Sequence, residues 1–193
     1  MRSERRLARL ESVIRHRQPD LTVILENIHD PHNVSAILRS CDAAGVMEVQ
    51  LLYTNEEFPK LGKKSSASAK KWVDHRKFQS AEECCRKLHK EGYLIYATHL
   101  SKRTAPLYEL DLTKKVALAF GNEHRGVSDE AADLADGNFM IPMFGMIQSL
   151  NVSVACAVTL FEAVRQRMLT RRYDNSVFDD SEVKKLLKKW AMK

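Results

Sequence analysis

The sequence lacks most of the signatures that identify common enzyme and membrane classes. Its longest apolar runs, such as 116–120, are far shorter than the roughly 20 residues that cross a bilayer. It contains no GxGxxG fingerprint, no GxxxxGK[ST] phosphate loop, no HExxH zinc motif and no GxSxG nucleophile motif. These absences argue against a membrane protein, a dinucleotide-dependent oxidoreductase, a P-loop enzyme, a zinc protease and a serine hydrolase.

Cysteine is scarce, and histidine is scattered. The four cysteines form no CxxC pair. His29 and His32 are three positions apart, but no further metal ligands lie near them in the sequence. We therefore expect free thiols, no metal site and a cytoplasmic location.

Positive charge is concentrated at the two ends of the chain. The net charge is +6, yet residues 1–17 contribute +4 and residues 165–193 contribute +5, which leaves −3 for residues 18–164. Solvated helices would explain such ends, but arginine predominates in 1–17 and is crowded in 165–172. Because the guanidinium fork matches phosphate geometry, a polyanionic partner explains them at least as well.

Short apolar runs alternate with helical patterns, which predicts an α/β fold with a mostly parallel sheet. Strands buried on both faces are predicted at 21–28, 48–53, 93–98, 116–120 and 139–142. Helices are predicted at 34–41 (ending at Gly45), 81–90, 128–136 and 152–168, with further ones at 3–16 and 180–191. The stretch 54–71 is the least structured. We expect a basic N-terminal helical extension (1–20), an α/β domain (21–169) and a basic C-terminal helical extension (170–193).

Three polar loops follow successive predicted strands, at 98–101, 121–126 and 142–151. Each loop alone could be a turn or a helix cap. In an open parallel sheet, however, ligands bind beyond the carboxyl ends of the strands. Together, the three loops favour a binding site at that edge.

These loops carry motifs of a known family. Asn33 is followed six positions later by Arg39, residues 120–128 read FGNEHRGVS, and residues 141–155 read IPMFGMIQSLNVSVA. In order and spacing they resemble the three motifs of the SpoU-type RNA ribose 2′-O-methyltransferases, in the SPOUT superfamily of knotted enzymes. The resemblance covers about residues 15–173. Residues 17–22 and the basic segment after 161 are similar to the branch that methylates a guanosine in the tRNA D-loop.

The resemblance implies a C-terminal deep trefoil knot, a homodimer, and S-adenosyl-L-methionine bound in the knot. By the same resemblance, the catalytic residues are Arg39, Asn33, Glu123, Ser149 and Asn151. The cofactor pocket would contain Thr98, Leu100, Gly121, Ile141, Met143 and Leu150. From the charge distribution, the candidate RNA contacts are Arg5, Arg6, Arg9, Arg165, Arg167, Arg171 and Arg172.

The role of Arg39 has two interpretations. A guanidinium pKa above ~12 makes arginine an unusual base. Arg39 could lose its proton with help from the substrate phosphate, or it could stay charged, clamp that phosphate and stabilise the developing alkoxide. We favour the clamp.

The resulting expectation is methylation of a ribose 2′-hydroxyl in tRNA, at guanosine eighteen of the D-loop, with no metal and no membrane partner. The alternatives are a ribosomal RNA 2′-O-methyltransferase and a catalytically inactive knotted RNA-binding protein. The second would be free to lose Arg39, Glu123 or Asn151, and all three are present. The alternation of strands and helices alone would also suit a nucleotide-dependent oxidoreductase. The missing glycine-rich fingerprint argues against that class.

Overall fold

The computed structural model describes residues 4–59, 69–101 and 104–193, and these form a parallel sheet covered by helices. The seven strands are β1 (Leu21–Glu26), β2 (Glu48–Leu52), β3 (Asp74–Phe78), β4 (Leu94–Thr98), β5 (Thr104–Pro106), β6 (Val116–Phe120) and β7 (Gly137–Met140). Their order across the sheet is β3-β2-β1-β6-β4-β7-β5, and every pairing is parallel. The central strands β1 and β6 are buried along their whole length, as expected for strands covered on both faces.

The helices cover both faces of the sheet. They are α1 (Glu4–Arg15), α2 (Pro31–Ala43), α3 (Ala69–Trp72), α4 (Ala81–Lys90), α5 (Asp129–Asp133), α6 (Val152–Leu169) and α7 (Asp180–Ala191). One core cluster joins α2 and α6 to the sheet, and a second joins α4 and α5. Helices α1 and α7 pack on each other through Leu10, Ile14, Val183 and Trp190. The two basic ends of the chain therefore form one helical pair.

The C-terminal end of α2 is shaped by Gly45. This residue has φ +79°, a left-handed conformation that favours glycine, and an added Cβ would lie 2.8 Å from the His16 carbonyl oxygen. The guanidinium of buried Arg17 binds the Asp42 and Val46 carbonyl oxygens at 3.2 and 2.9 Å and lies over the Trp190 ring. The end of α2 is thereby fixed against the terminal helices.

The predicted α/β class and parallel sheet are confirmed, with two strands missed. β3 and β5 are the edge strands, so neither needs the continuous apolar sequence of a central strand. β3 alternates half-exposed and exposed residues up to Phe78, and β5 has only three residues. Helix α5 is shorter than predicted. Of the stretch 54–71, residues 60–68 lie outside the described part of the chain, and α3 begins at Ala69.

The four cysteines are free and buried, as the sequence predicts. Burial raises the pKa of the Cys84 thiol to about 12 and that of Cys85 to about 11. Both thiols are therefore protonated at neutral pH. In the described part of the chain, no helix is long and apolar enough to cross a membrane, and no group of three or more metal-ligating side chains occurs.

Candidate active site

The Glu123 carboxylate lies at the N-terminal end of α2 and accepts three hydrogen bonds. The donors are the backbone amides of His29 and Asp30, both at 3.1 Å, and the Asn33 side-chain amide, at 2.8 Å. Asp30 caps α2 through the His32 amide, and Pro31 opens the helix. A carboxylate in this position is also stabilised by the helix dipole.

Glu123 is ionised at neutral pH. Partial burial raises the pKa of its carboxyl group, but the hydrogen bonds from Asn33 and from backbone amides outweigh burial and hold the pKa below its ordinary value. All three donors bind the charged form. Glu123 is thus suited to orient Asn33 and the start of α2, and poorly suited to carry a proton during catalysis.

Asn33 connects Glu123 to the start of α6. Its side-chain oxygen accepts a hydrogen bond from the Asn151 side-chain amide at 3.1 Å. Asn151 is in turn the N-cap of α6, because its side-chain oxygen accepts from the Ser153 amide at 2.9 Å and from the Ser153 hydroxyl at 2.6 Å. A hydrogen-bonded chain therefore joins the loop after β6, the first turn of α2 and the N-terminus of α6.

Arg39 and Ser149 are not part of this chain. Arg39 is exposed on α2, six residues beyond Asn33, which is about 9 Å along a helix axis. Ser149 is exposed in the loop before α6. Neither side chain has a hydrogen-bond partner among the described residues. An exposed guanidinium beside an ordered polar network is available to an anionic ligand.

The six candidate cofactor residues lie on the three loops at the carboxyl edge of the sheet. Leu100 and Leu150 are exposed, whereas Thr98, Ile141 and Met143 are half-buried. The Thr98 hydroxyl donates to the Ala119 carbonyl oxygen at 3.0 Å, so it ties two strand ends together. Exposed apolar side chains of this kind are suited to pack against a purine ring.

The structure gives a reason for glycine at position 121 that differs from the reason inferred from the sequence. The sequence suggests that it lets a ligand approach the backbone, but an added Cβ would lie 2.0 Å from the Gly126 carbonyl carbon and oxygen. The glycine is required by packing inside the 121–126 loop, where the Gly126 amide donates to the Asn122 carbonyl oxygen at 2.8 Å. A larger residue at 121 would disrupt the loop itself.

The structure corrects one of the candidate RNA contacts, Arg167. Its side chain is 0% exposed, and it binds Asp20 together with the Leu112 and Lys114 carbonyl oxygens. It therefore joins α6 to the start of β1 and cannot reach a phosphate.

The other candidate arginines are accessible to differing degrees. Arg5, Arg9, Arg165 and Arg171 are exposed, and Arg6 and Arg172 are half-buried. Arg165 pairs with Glu162, and Arg172 pairs with Asp20. The charge pattern alone could not separate these residues from the buried Arg167.

Sequence reasoning missed the role of Asn122. Its side-chain amide donates to the Asn27 carbonyl oxygen at 2.8 Å, and its side-chain oxygen accepts from the His124 and Arg125 amides. It therefore holds the 121–126 loop against the end of β1. Its place next to Glu123 is the only signal that the sequence offers.

Comparison with known proteins identifies the family. A profile of the SpoU rRNA Methylase family matches residues 20–161. The chain belongs to the SpoU methylase family. Within it, the chain is 48% identical over 192 residues to a tRNA (guanosine(18)-2′-O)-methyltransferase of Thermus thermophilus, covering 100% of this chain and 98% of the relative. A 23S rRNA (guanosine-2′-O-)-methyltransferase of Xanthomonas axonopodis is 40% identical over 149 residues, 77% of this chain and 59% of the relative.

Solved SpoU structures agree in fold. The Aquifex aeolicus TrmH/SpoU tRNA modifying enzyme superposes with a TM-score of 0.91 at 40% identity, covering 98% of this chain and 96% of that one. The SpoU methyltransferase AviRb of Streptomyces viridochromogenes, in complex with the cofactor AdoMet, gives 0.72 at 26% identity, covering 81% and 64%. The α/β fold seen here is therefore the SpoU fold.

Proposed function

We propose that this protein methylates the ribose 2′-hydroxyl of guanosine eighteen in the tRNA D-loop. The observation that carries the proposal is the hydrogen-bonded chain from Glu123 through Asn33 to Asn151, which unites residues from all three family motifs. The full-length similarity to relatives named for guanosine 18 in tRNA supports this substrate. The 23S rRNA relative is matched over only 59% of its length, so ribosomal RNA is the weaker candidate.

S-adenosyl-L-methionine is the proposed methyl donor, and the candidate residues fit it. The exposed Leu100 and Leu150 offer apolar walls for an adenine ring, and Ile141 and Met143, which precede Leu150 on the same loop, are half-buried. When bound, this cofactor supplies an electrophilic methyl group. No metal takes part in the proposed chemistry.

Arg39 is the proposed catalytic residue. It is exposed and carries no ion pair with the described residues, so its charge is free to bind the phosphate of the target nucleotide. Kept protonated, it would lower the energy of negative charge developing on the 2′-oxygen. Asn33 and Asn151 position the two helix starts on either side, and Glu123 holds Asn33 in place. Ser149 precedes the α6 cap and would shape the loop over the cofactor.

A homodimer is the proposed assembly. The loop before α6 exposes Phe144 and Met146, each 98% accessible, together with Ile147. On α6, Val154 and Phe161 are also exposed. Exposed apolar side chains along one continuous segment are typical of a protein interface. A sedimentation mass of one chain in an active enzyme would contradict this assignment.

We also propose that the C-terminal part is knotted, as the resemblance implies. Strand β7 lies in the sheet between β4 and β5, although β4 and β5 are joined by a short connection. A trefoil knot would require the chain that leaves β7 to thread past this connection before α6 packs on α2. The catalytic unit would span residues 21–169, with the basic extensions 1–20 and 170–193 binding the tRNA in the cytoplasm.

The proposed substrate is tested by methyl transfer from labelled S-adenosylmethionine. Unmodified tRNA transcripts and transcripts of ribosomal RNA fragments should be compared at equal concentration. We expect label in tRNA that is lost when the eighteenth nucleotide is changed to adenosine. Label in the ribosomal fragments but not in tRNA would favour the weaker candidate.

A further inference from the structure

A polar cavity of about 300 Å³ opens at the carboxyl edge of the sheet, next to the candidate active site. None of the candidate catalytic or cofactor residues lines it. Its walls come from the ends of β1 and β6, the loop after β4 and the segment that opens α5. The volume corresponds to roughly ten waters at liquid density. This is more than enough room for one purine ring system.

Glu26 gives the cavity its chemistry. The residue is only 4% exposed, yet it lines the cavity. One carboxylate oxygen accepts from the Ser128 amide at 2.9 Å, and the other has no hydrogen-bond partner among the described residues. A carboxylate accepts hydrogen bonds and donates none. The cavity therefore favours a ligand with N–H donors.

His99 also lines the cavity, and its ring is oriented by Asp129. Its Nε2 lies 3.1 Å from the Asp129 carboxylate, whereas its Nδ1 is buried without a partner among the described residues. Because a carboxylate only accepts, Nε2 carries the hydrogen. The exposed Arg125 guanidinium at the rim could stack on a planar ligand.

We propose that this cavity binds a guanine base of the RNA substrate, at or next to the methylated nucleotide. The Watson–Crick edge of guanine presents N1–H and N2–H side by side, which matches a carboxylate acceptor. Adenine, cytosine and uracil each lack that pair of adjacent donors. Sequence-specific RNA binding commonly reads unstacked loop bases at this edge. The inference rests on the function proposed above.

The position of the cavity explains why the base should be close to the methylation site. Asn122 and Asn27 line the cavity, and they are joined by a 2.8 Å hydrogen bond. The next residue after Asn122 is Glu123, which holds Asn33 and the start of α2. The cavity and the Glu123–Asn33 contact therefore share the 121–126 loop.

The test combines atom replacement in RNA with a change in the protein. Each D-loop guanosine of a tRNA transcript is replaced singly by inosine, which lacks the 2-amino group but retains the ribose 2′-hydroxyl. With wild-type enzyme, kcat/KM should fall about tenfold for inosine at one position, since a hydrogen bond to a charged group contributes about 1.5–3 kcal/mol. With the guanosine substrate, Glu26→Gln should lower kcat/KM by a similar factor. With the inosine substrate, Glu26→Gln should cause no further loss.

Glu130→Gln is the matched control, because Glu130 is an exposed carboxylate on the same cavity. It removes one negative charge and should keep the guanosine-to-inosine ratio of the wild type. Should Glu26→Gln fail to fold, Asn55→Trp replaces it, because the exposed Asn55 also lines the cavity. The larger side chain should fill the cavity and abolish the sensitivity to inosine.

An active wild-type enzyme that tolerates inosine at every D-loop position would overturn the cavity assignment while leaving the proposed function intact. The assignment would also be overturned if the loss of kcat/KM from Glu26→Gln and the loss from inosine multiplied when the two changes were combined, because both changes should remove the same hydrogen bond. Absence of methyl transfer to any guanosine-containing tRNA would instead remove the proposed function.

Discussion

Asn33 donates a 2.8 Å hydrogen bond to Glu123 and accepts a 3.1 Å hydrogen bond from Asn151. Glu123 and Asn151 lie 90 and 118 positions from Asn33 in the sequence, and each of the three residues belongs to a different motif. Their contact brings the carboxyl end of β6 and the N-termini of α2 and α6 together. The geometry of the candidate site depends on this single amide side chain.

The ionisation of Glu123 should make part of the stability pH-dependent. The folded-state pKa lies below its ordinary value of 4.5, so the ionised form stabilises the fold above that pH, and this contribution is lost as pH falls through the folded-state pKa. Glu123→Gln should therefore lower the melting temperature at pH 7, and the difference from wild type should shrink below about pH 4.5. Thermal unfolding followed by circular dichroism measures both. If the difference in melting temperature were the same at every pH, the loss would come from the changed shape of the side chain and not from its charge.

The Asn151 side chain has two separable roles. Asn151→Ala removes the α6 N-cap and should cost about 1 kcal/mol of folding stability as well as activity. Asn151→Ser can still cap the Ser153 amide but cannot reach Asn33 in the same way. Urea unfolding should show stability restored in Asn151→Ser, with methyl transfer still reduced. Full activity in both variants would mean that the Asn33–Asn151 bond is dispensable.

Leu150→Arg should block binding of the cofactor. Leu150 is 38% exposed on the loop before α6, and a charged side chain there would occupy the proposed apolar wall. Calorimetry with S-adenosylhomocysteine should show affinity reduced beyond detection. Val177→Arg, which places the same charge on another exposed apolar residue, serves as control. Equal affinity in the two variants would place the cofactor elsewhere.

The arginines around α6 should divide into two groups. Replacing exposed Arg165 and Arg171 together with half-buried Arg172 should flatten the log–log salt dependence of tRNA binding by about 2 units if each contacts a phosphate. Arg167→Met should instead leave the slope unchanged and lower stability by about 1–3 kcal/mol for each of the Leu112 and Lys114 carbonyl oxygens that loses its buried donor. Filter binding at several salt concentrations and urea unfolding distinguish the two groups. If only Arg167→Met flattened the salt dependence of tRNA binding, Arg167 would be the phosphate contact and the other three arginines would not.

Much of the fold could be predicted because its central strands are apolar on both faces. The strand 116–120 is predicted to the residue, as are helices 81–90 and 180–191. The edge strands β3 and β5 are missed, since an edge strand has one hydrogen-bonding side open and tolerates polar residues. Periodicity carries no information about which strands become edges.

The site was predictable only in part. The motifs located Asn33, Glu123 and Asn151, but their mutual hydrogen bonds required the fold. The burial of Arg167 was invisible, because an arginine that binds carbonyl oxygens inside a protein has the same sequence signal as one on a basic surface. Glu26 falls inside the strand predicted at 21–28, and only the structure, in which it accepts from the Ser128 amide, places it in a cavity.

The most direct test of the central claim is mass spectrometry of nucleosides and D-loop fragments after tRNA is incubated with S-adenosylmethionine and either wild-type protein or Arg39→Ala. The account predicts 2′-O-methylguanosine at position eighteen with the wild type, none with Arg39→Ala, and unchanged binding of S-adenosylhomocysteine by the variant. A methyl group on a base or on another nucleotide, or full activity of Arg39→Ala, would contradict it.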